Sequence, residues 1–402
     1  MNFSLYIHIP FCVSKCLYCD FYSVPQNKIL DSYVDSVISE LNIRLNEYKI
    51  DGVLNKLQSV YIGGGTPSLL TKNQINKLND FFLSNNVFTD DFEFTIEVNP
   101  DDVSENFIES INQTLINRIS CGLQSMNDDV LQFAKRRGSV SDNICALELL
   151  KSQWKKNFSV DLICGLPGES EKSFFFGLNS ILKYEPNHIS MYSLTIEDST
   201  PLGKIFNSGK IEYDFDFADN LWLKAKDFLE KNGYDQYEVS NFSKKGFESK
   251  HNLSYWNHQS YLGVGSGATG TVYNDDGSGI RWTNTQNIER YINFWQEKSN
   301  SFNIEKNDDI QELEQIDVET SKIEFFLMGL RKLSGITTKE FENIFHKPID
   351  DKIIKVFKKW EQKKLCKIQN EYNDSVRYSL GKNGILFLNA FFGINYLILL
   401  LF

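Results

Sequence analysis

Apolar and polar residues alternate along the first half of the chain in two patterns, one typical of strands and the other of helices. Short segments that are largely apolar, or apolar at every second position, predict six strands. They are Leu5–Pro10, Gln58–Ile62, Phe92–Asn99, Arg118–Leu123, Phe158–Cys164 and His188–Leu194. Between them, apolar residues spaced three or four apart predict helices over Lys28–Tyr48, Lys72–Leu83, Asp142–Trp154 and Glu171–Tyr184. Strands that alternate with helices form parallel sheets, and six strands within roughly 200 residues favour an α/β fold built on a partial (β/α)6 barrel.

The polar residues of these strands fall on one side of the predicted sheet. Because successive side chains of a strand point to opposite faces, Phe94 and Ile96 lie opposite Glu97 on the third strand. The same test places Tyr6 opposite its apolar neighbours on the first strand, and Asp161 opposite its neighbours on the fifth. An apolar face against helices and a polar face toward a lumen fits a barrel whose interior lines a functional site.

After about residue 235 the pattern changes, first to a stretch rich in glycine and asparagine and then to a small α+β unit. The stretch Asn241–Asn284 predicts mostly loops, and a polar connector, Ser299–Glu312, follows it. The remaining periodicity predicts helices over Ser321–Lys332, Thr338–Phe345 and Asp350–Lys364, and strands over Leu365–Ile368 and Arg377–Leu380. Three helices and a hairpin in this order predict a winged-helix-like domain.

The chain therefore divides into four predicted parts. Residues 1–235 form the barrel, residues 236–306 a loop-rich extension, residues 307–388 the winged-helix-like C-terminal domain and residues 389–402 an apolar tail. The tail ends a run, Gly384–Phe402, in which no residue is charged. A run of this length is near the lower limit of roughly 17–25 residues for a membrane span. We expect a buried terminal helix or a contact between two copies of the chain, with membrane-surface association as the alternative.

The balance of charge argues against a general nucleic-acid binder. The chain of 402 residues has 42 Lys and Arg against 53 Asp and Glu, a net charge of −11, whereas nucleic-acid binding depends on basic surfaces. The lysines of the third C-terminal helix indicate a solvated face more than a DNA contact. The sequence begins with no pattern of a targeting leader, so the cytoplasm is the expected compartment.

Three of the seven cysteines are crowded within the first nineteen residues. Cys12, Cys16 and Cys19 have the spacing C-x3-C-x2-C, in a loop directly after the first predicted strand. Three thiolates on one short loop can hold three irons of a [4Fe–4S] cluster and leave the fourth iron open. The alternative is structural zinc, which needs four ligands and would take His8 or Asp20 as the fourth. The other cysteines are predicted to be small buried side chains: Cys121, Cys145, Cys164 and Cys366.

At this loop the sequence resembles the radical S-adenosylmethionine (SAM) superfamily, which has C-x3-C-x2-C with an aromatic residue at the position of Tyr18. Residues 6–12, Tyr-Ile-His-Ile-Pro-Phe-Cys, are similar to the coproporphyrinogen oxidase-like group of that superfamily, and in particular to its heme chaperone branch, HemW. The resemblance extends over nearly the whole chain. It implies a radical-SAM barrel in which the open iron binds the amino and carboxylate groups of SAM. Electron transfer in this superfamily cleaves SAM to methionine and a 5′-deoxyadenosyl radical.

The resemblance also implies which residues bind the cofactors. The three clustered cysteines would hold the [4Fe–4S] cluster. Further cofactor contacts would come from Tyr6, Tyr18, Gly64, Gly65, Thr66, Glu97, Gln124, Arg136 and Asp161. Some of these have simpler alternatives, because glycines often only turn the chain, Glu97 can form an ion pair, and Asp161 can cap the turn after its strand. The family's Gly-Arg-x-His stands here as Lys-Arg-Arg-Gly over residues 135–138, without its histidine.

Three further features favour the HemW branch. Family members that decarboxylate coproporphyrinogen carry one more cysteine two residues after the third, where this chain has Phe21. They also have an N-terminal extension, whereas eleven residues precede Cys12 here. The segment His251–Trp256, His-Asn-Leu-Ser-Tyr-Trp, resembles the His-Asn-x-x-Tyr-Trp signature of heme binding in the HemW branch. Imidazole is a common axial ligand of heme iron, so the resemblance implies His251 as that ligand.

The resemblance therefore implies a heme chaperone that binds heme, SAM and a [4Fe–4S] cluster. Its partners would be an electron donor and the respiratory hemoproteins that receive the heme. Two alternatives stay open. One is an enzyme that decarboxylates the propionates of coproporphyrinogen without oxygen, or carries out another radical reaction. The other is a winged-helix regulator with an iron–sulfur sensor.

Overall fold

The computed structural model describes residues 3–50, 53–54, 56–297, 310–372, 374–389 and 391. Within these residues the chain folds into one large sheet with helices packed against it and a smaller C-terminal unit. Most of the predicted connector, Ser299–Glu312, and most of the apolar tail from residue 389 lie outside the described residues.

The six predicted barrel strands are confirmed, and they lie side by side in the order of the chain. They are β1 (Phe3–Ile9), β2 (Leu57–Gly64), β3 (Phe88–Val98), β4 (Arg118–Gln124), β5 (Asn157–Cys164) and β6 (His188–Ser193). Each strand pairs in parallel with the next. Parallel neighbours require a crossover connection, and so the carboxyl ends of all six strands meet at one edge.

Helices make these crossovers. They are α1 (Asp31–Glu47), α2 (Lys72–Asn85), α3 (Glu105–Asn112), α4 (Asp128–Phe133), α5 (Val140–Gln153) and α6 (Glu171–Leu182), with α7 (Pro201–Asn207) and α8 (Phe215–Lys231) after β6. Helices α1, α2, α5 and α6 are the predicted ones, and α2 begins at a capping box in which Thr71 and Gln74 bond reciprocally. The pattern did not reveal α3 and α4, which have eight and six residues, because so few turns carry little periodicity.

The stretch predicted to be loops, Asn241–Asn284, continues the same sheet, so that prediction was wrong. It follows β7 (Asp235–Gln236) and contains β8 (Asn241–Ser243), α9 (Lys250–Trp256), β9 (Tyr261–Val264), β10 (Thr269–Tyr273) and β11 (Gly279–Asn284), with α10 (Ile288–Glu297) and β12 (Gln311–Ile316) beyond it. Strand β9 pairs in parallel with β1, and β10, β11 and β12 continue from it antiparallel. The sheet has twelve strands in the order β7-β8-β6-β5-β4-β3-β2-β1-β9-β10-β11-β12.

The glycines of this stretch permit close packing, which explains why their abundance misled the prediction. A Cβ atom at Gly263 would lie 2.0 Å from the carbonyl oxygen of Thr269. A Cβ atom at Gly270 would lie 2.2 Å from the Trp282 ring. Glycine inside a strand often marks such an approach of backbone or ring. The boundaries of the predicted domains stay a prediction, although the extension shares its sheet with the barrel.

The C-terminal unit has the predicted order of helices and hairpin. Its elements are α11 (Val318–Gly329), β13 (Ile336–Thr337), α12 (Thr338–Phe345), α13 (Asp351–Gln362), β14 (Lys367–Asn370), β15 (Val376–Ser379) and α14 (Gly381–Gly384). The three strands form a separate antiparallel sheet in the order β13-β15-β14. Their buried apolar side chains pack with those of the helices into a core distinct from that of the large sheet.

The described beginning of the apolar tail packs onto this smaller core. Phe391 is buried, and its ring centroid lies 4.8 Å from that of Trp360 on α13. Over the residues that the structure describes, no helix is both long and apolar enough to cross a bilayer.

The cysteines outside the N-terminal loop are mostly buried, with one exception. Cys121, Cys164 and Cys366 are buried as predicted, but Cys145 is exposed. It lies on α5, whose buried residues include Asn143, Ala146, Leu147 and Leu150. Position 145 falls on the opposite side of the helix from this face, so the prediction for Cys145 was wrong.

Candidate functional site

The three clustered cysteines lie on the loop that follows β1, at the edge where the parallel strands end. The Leu17 N–H fastens this loop by donating to the Ala134 carbonyl at 3.0 Å. Cys12, Cys16 and Cys19 are partly exposed free thiols, and all three line one cavity of about 410 Å³. The carboxyl edge of the strands is where barrel folds of this type build their functional sites.

Two donors point at the sulfur atoms of this loop. The Thr66 hydroxyl donates to Cys12 Sγ at 3.3 Å, and Arg136 Nη1 donates to Cys16 Sγ at 3.7 Å. Hydrogen bonds to the sulfur atoms are one of the means by which proteins tune iron–sulfur clusters. In the described part of the chain, no three His, Cys, Asp or Glu side chains are close enough together to hold a single metal ion.

Both candidates for a fourth zinc ligand have other partners. His8 Nδ1 bonds with the Tyr6 hydroxyl at 2.9 Å, and its Nε2 donates to the Tyr22 carbonyl at 3.0 Å. Asp20 accepts from the Ser199 hydroxyl. Structural zinc needs four ligands. The residues present thus fit a cluster held by three thiolates better than a zinc site.

The glycine run at the end of β2 brings its backbone against β1 and the cysteine loop. Gly64 has φ +114°, and a Cβ atom there would lie 2.5 Å from the His8 ring. A Cβ atom at Gly65 would lie 2.6 Å from the Phe11 carbonyl oxygen. The run therefore needs glycine for close approach as well as for its conformation.

Glu97 lies on the lumen face of β3 between two donors. The Tyr61 hydroxyl donates to Oε1 at 2.8 Å, and the Gly64 N–H donates to Oε2 at 3.0 Å. Burial raises the pKa of Glu97 to about 7; the nearby Asp161 adds to the rise, and the two donors oppose it. A cationic ligand in the cavity would favour the ionised form of this carboxyl group.

Gln124 and Arg136 meet at the end of β4. A Cβ atom at Gly122 would lie 2.7 Å from the side-chain amide nitrogen of Gln124. Arg136 Nη2 donates to the Gly122 carbonyl at 2.6 Å and to Asn99 Oδ1 at 3.1 Å. With its further bond to the Cys16 sulfur, the guanidinium is fixed in place as a planar fork of the kind that binds carboxylates.

Asp161 contributes a buried oxygen atom without a partner. Its Oδ2 accepts from the Ser120 hydroxyl at 2.8 Å, whereas Oδ1 is buried and forms no hydrogen bond of good geometry, although the Ser190 hydroxyl lies close enough to lower the pKa of the carboxyl group. Burial raises the pKa of this carboxyl group. A buried acceptor without a donor is costly, so a ligand hydroxyl, such as one of a ribose, would fit here. Its bond to the neighbouring strand leaves the turn-capping alternative without support.

Eleven of the thirteen predicted site residues line this one cavity. They are Cys12, Cys16, Tyr18, Cys19, Gly64, Gly65, Thr66, Glu97, Gln124, Arg136 and Asp161. The other two, Tyr6 and His251, line a smaller neighbouring cavity of about 240 Å³. The two cavities share Phe21 and Tyr61 as well as Gly64 and Glu97. The roles of all thirteen residues as cofactor contacts stay predictions.

His251 lies in a setting that does not fit an iron ligand. Its Nδ1 bonds with the Ser59 hydroxyl at 3.0 Å, and its Nε2 bonds with the Tyr255 hydroxyl at 2.8 Å. The imidazole is buried, with 1% of its surface exposed. The cavity beside it is smaller than the roughly 300–1,000 Å³ of typical ligand pockets. Ligation by His251 would require one of the two bonds to break and the cavity to enlarge.

Several residues that line the main cavity were not predicted from the sequence. Tyr61, Asn99, Ser120 and Tyr192 all lie on its walls. Alternation along β2 would have placed Tyr61 on the same face as Ser59 and Gly63, which is the lumen face. Alternation along the predicted strand Phe92–Asn99 likewise places Asn99 on the face of Glu97, although Asn99 follows the end of β3 in the structure.

Comparison with known proteins agrees with this architecture. The model of the radical SAM superfamily matches residues 6–175. The chain is 34% identical over 346 residues to the heme chaperone HemW of Lactococcus lactis subsp. lactis, with 85% of each chain covered. It is 32% identical over 400 residues to the heme chaperone HemW of Bacillus subtilis, with 97% of this chain and 98% of the relative covered.

A solved structure confirms the predicted fold. Coproporphyrinogen III oxidase (HemN) from Escherichia coli, a radical SAM enzyme, superimposes with a TM-score of 0.76. The match covers 97% of this chain and 89% of that chain, at 19% sequence identity. At this identity the similarity shows the fold and does not extend to the reaction.

Proposed function

The chain belongs to the HemW family of the radical SAM superfamily, and on this premise we propose that it is a heme chaperone that passes heme to respiratory hemoproteins. The three thiols, the glycine run and the unpartnered oxygen of Asp161 support binding of a [4Fe–4S] cluster and SAM beside each other. When bound, the cluster would supply an electron to SAM, and an electron donor would be a further partner. Ligation needs reduced thiols, which favours the cytoplasm as the compartment.

The observation that supports heme binding best is an apolar rim at the cavity. Val13, Phe21 and Tyr192 line the cavity, and 40%, 69% and 43% of their surfaces are exposed. Exposed apolar groups around a pocket often mark a ligand site, and aromatic rings pack well on the face of a porphyrin. Lys15, exposed on the same loop, can pair with a propionate carboxylate. Phe21 also stands where decarboxylating relatives have a further thiol, and it offers a packing surface instead.

We expect the reconstituted protein to bind hemin and not to decarboxylate coproporphyrinogen, and Phe21→Ser to weaken hemin binding about tenfold. The loss of one large aromatic contact corresponds to roughly 1.4 kcal/mol, or a factor of ten. The measurement is a hemin titration followed by Soret absorbance under anaerobic conditions, with a decarboxylation assay in parallel.

The matched control for this titration is Phe176→Ser. Phe176 lies on α6, and 73% of its surface is exposed, close to the value for Phe21, but it lines a different cavity. Its substitution should leave hemin affinity unchanged. Turnover of coproporphyrinogen by the wild type would contradict the chaperone proposal. Equal effects of the two substitutions would contradict only the position of heme at the rim.

We expect SAM to bind more weakly as the pH falls below 7. Glu97 has a pKa of about 7 in the ligand-free protein, mainly through burial. A cationic ligand binds the ionised carboxylate, so below pH 7 it must displace a proton, at a cost of about tenfold in affinity per pH unit. Above pH 7 the carboxylate is already ionised, and its contribution levels off. Calorimetric measurement of the SAM dissociation constant between about pH 5.5 and about pH 8 tests this expectation.

Glu97→Gln is the control for the pH profile, because an amide does not titrate. Asp161 also has a pKa raised by burial and could contribute to the same profile. If Glu97 is the group that titrates, the Gln variant should bind SAM more weakly at pH 8 and show little further loss at lower pH. An unchanged pH profile in the variant would assign the titration to Asp161 or another group.

A further inference from the structure

The bonds of His251 tie helix α9 to the barrel. Ser59, which bonds to Nδ1, lies on β2, and Tyr255, which bonds to Nε2, lies one turn further along α9. Burial lowers the pKa of His251 to about 3, and the Arg118 guanidinium adds to this effect. The imidazole is therefore neutral at physiological pH and holds a fixed orientation through both nitrogen atoms.

The start of α9 is held on the neighbouring strand, β3. Glu93 accepts from the Ser249 hydroxyl at 3.2 Å, from the Lys250 N–H at 3.2 Å and from the His251 N–H at 3.1 Å. Arg118 Nε lies 3.9 Å from the same carboxylate and balances its charge. A carboxylate at a helix N-terminus satisfies backbone donors that would otherwise be buried without partners. Helix α9 is thus fixed to both β2 and β3.

The face of the His251 ring packs against Tyr61. The two ring centroids are 5.1 Å apart and the planes are inclined by 27°. Tyr61 also stacks with Tyr6, at a centroid distance of 6.3 Å and an inclination of 26°. The Tyr61 ring therefore packs against two aromatic rings. Packing of this kind limits the rotation of the phenol and directs its hydroxyl group.

The Tyr61 hydroxyl ends this series of contacts at the main cavity. It donates to Glu97 Oε1 at 2.8 Å, while the other carboxylate oxygen accepts from the Gly64 N–H at 3.0 Å. A continuous set of contacts therefore runs from His251 through Tyr61 to Glu97. Two predicted SAM contacts, Glu97 and Gly64, lie at its end.

We infer that His251 is a positioning residue for the SAM-binding face of the barrel, acting through Tyr61 on Glu97, and is not the ligand of heme iron. This inference rests on the proposed function only in that the main cavity binds SAM. It does not depend on where heme binds. The histidine motif would then affect SAM binding, and it would affect heme binding and transfer only indirectly.

The test measures SAM affinity and its pH profile in His251→Ala, His251→Phe and Tyr61→Phe, with hemin titrations in parallel. We expect His251→Ala and Tyr61→Phe each to weaken SAM binding about tenfold, because Glu97 loses a well-directed donor. Since this donor lowers the pKa of Glu97, the midpoint of the pH profile should also move upward in both variants. His251→Phe keeps a ring against Tyr61 but has no nitrogen, and should recover part of the affinity.

The matched control is His188→Ala. His188 is buried on β6, and its Nδ1 and Nε2 bond with the Ser159 hydroxyl at 2.8 Å and the Tyr237 hydroxyl at 2.9 Å. Its hydrogen bonds resemble those of His251, but its ring packs against Tyr237 instead of Tyr61. A general loss of stability should appear equally in both alanine variants. The shifted pH midpoint should appear only when His251 or Tyr61 is changed.

The outcomes separate this inference from the proposed function. An unchanged SAM affinity and pH midpoint in His251→Ala and Tyr61→Phe would overturn the inference, as would an equal change in His188→Ala. Loss of hemin binding in both His251 variants with SAM binding intact would overturn it in favour of iron ligation. Failure of the wild type to bind hemin would contradict the chaperone proposal and leave the positioning role standing. If His251→Ala does not fold, His251→Phe decides: a SAM affinity and a pH midpoint equal to those of the wild type would overturn the inference.

Discussion

Replacing Cys12 with alanine is expected to abolish the iron–sulfur cluster. Cys12, Cys16 and Cys19 line the same cavity as free thiols, and a [4Fe–4S] cluster that keeps one iron open for SAM has only three protein ligands. Loss of one cysteine leaves two of the four irons without a protein ligand, since one iron is already reserved for SAM. After anaerobic reconstitution, iron and sulfide content should therefore fall from four of each per chain, roughly the cluster's stoichiometry, to near zero.

Cys145→Ala supplies the control for this experiment. Cys145 is an exposed thiol on α5, outside the cavity, and so it tests whether reconstitution loads iron onto accessible cysteines nonspecifically. We expect this variant to keep the full iron content of the wild type. Full iron content in Cys12→Ala would contradict the three-thiolate site. One zinc ion per chain in the wild type, with no sulfide, would favour the zinc alternative.

The barrel could be predicted from the sequence because its determinants are local. In Phe92–Asn99 the alternation of apolar and polar residues follows directly from the two faces of a strand, and it placed Glu97 in the lumen correctly. The cysteine spacing is equally local, since three ligands on one short loop stay together in any fold. For these features the chain carries the information within a few residues.

The remaining features depend on contacts between distant segments. The glycines at 263 and 270 permit close approach to Thr269 and Trp282, and a glycine count alone cannot separate that use from a loop. The histidine motif is a similar case. The sequence shows a His beside aromatic residues, but only the fold shows that Ser59 and Tyr255 occupy both of its nitrogens. A motif thus identifies residues that act together more reliably than it identifies what they bind.

A second contact between distant segments joins helix α1 of the barrel to the extension. Glu40 is fully buried on α1. Its carboxylate accepts from the Gly265 N–H at 2.9 Å, from the Tyr291 hydroxyl at 2.6 Å and from the Asn284 side-chain amide at 2.8 Å. Arg44, also fully buried, lies 3.3 Å from it. Three of these four partners belong to the segment that the sequence assigned to a separate, loop-rich part.

Glu40→Gln is expected to lower the free energy of unfolding by about 3–5 kcal/mol, because it removes the charge that faces the buried Arg44 guanidinium at 3.3 Å. The amide also turns one acceptor oxygen into a donor that faces the Arg44 and Asn284 donors. Urea unfolding followed by circular dichroism measures the change. Asp35→Asn, on the same helix, is the control: its pair with Lys77 is about half exposed, so a loss below about 1 kcal/mol is expected.

The shape of the unfolding curve decides whether the extension is part of the barrel. Glu40 lies on barrel helix α1 and accepts hydrogen bonds from the extension. If the barrel and the extension unfold as one cooperative unit, its substitution should shift one common transition to a lower urea concentration. If the extension were a separate unit, Glu40→Gln would instead release it early, and a first transition would separate from an unshifted second one. We expect the single shifted transition, because strand β9 of the extension pairs directly with β1. Since the cysteine loop follows β1, loss of this strand pairing would also disturb the cavity.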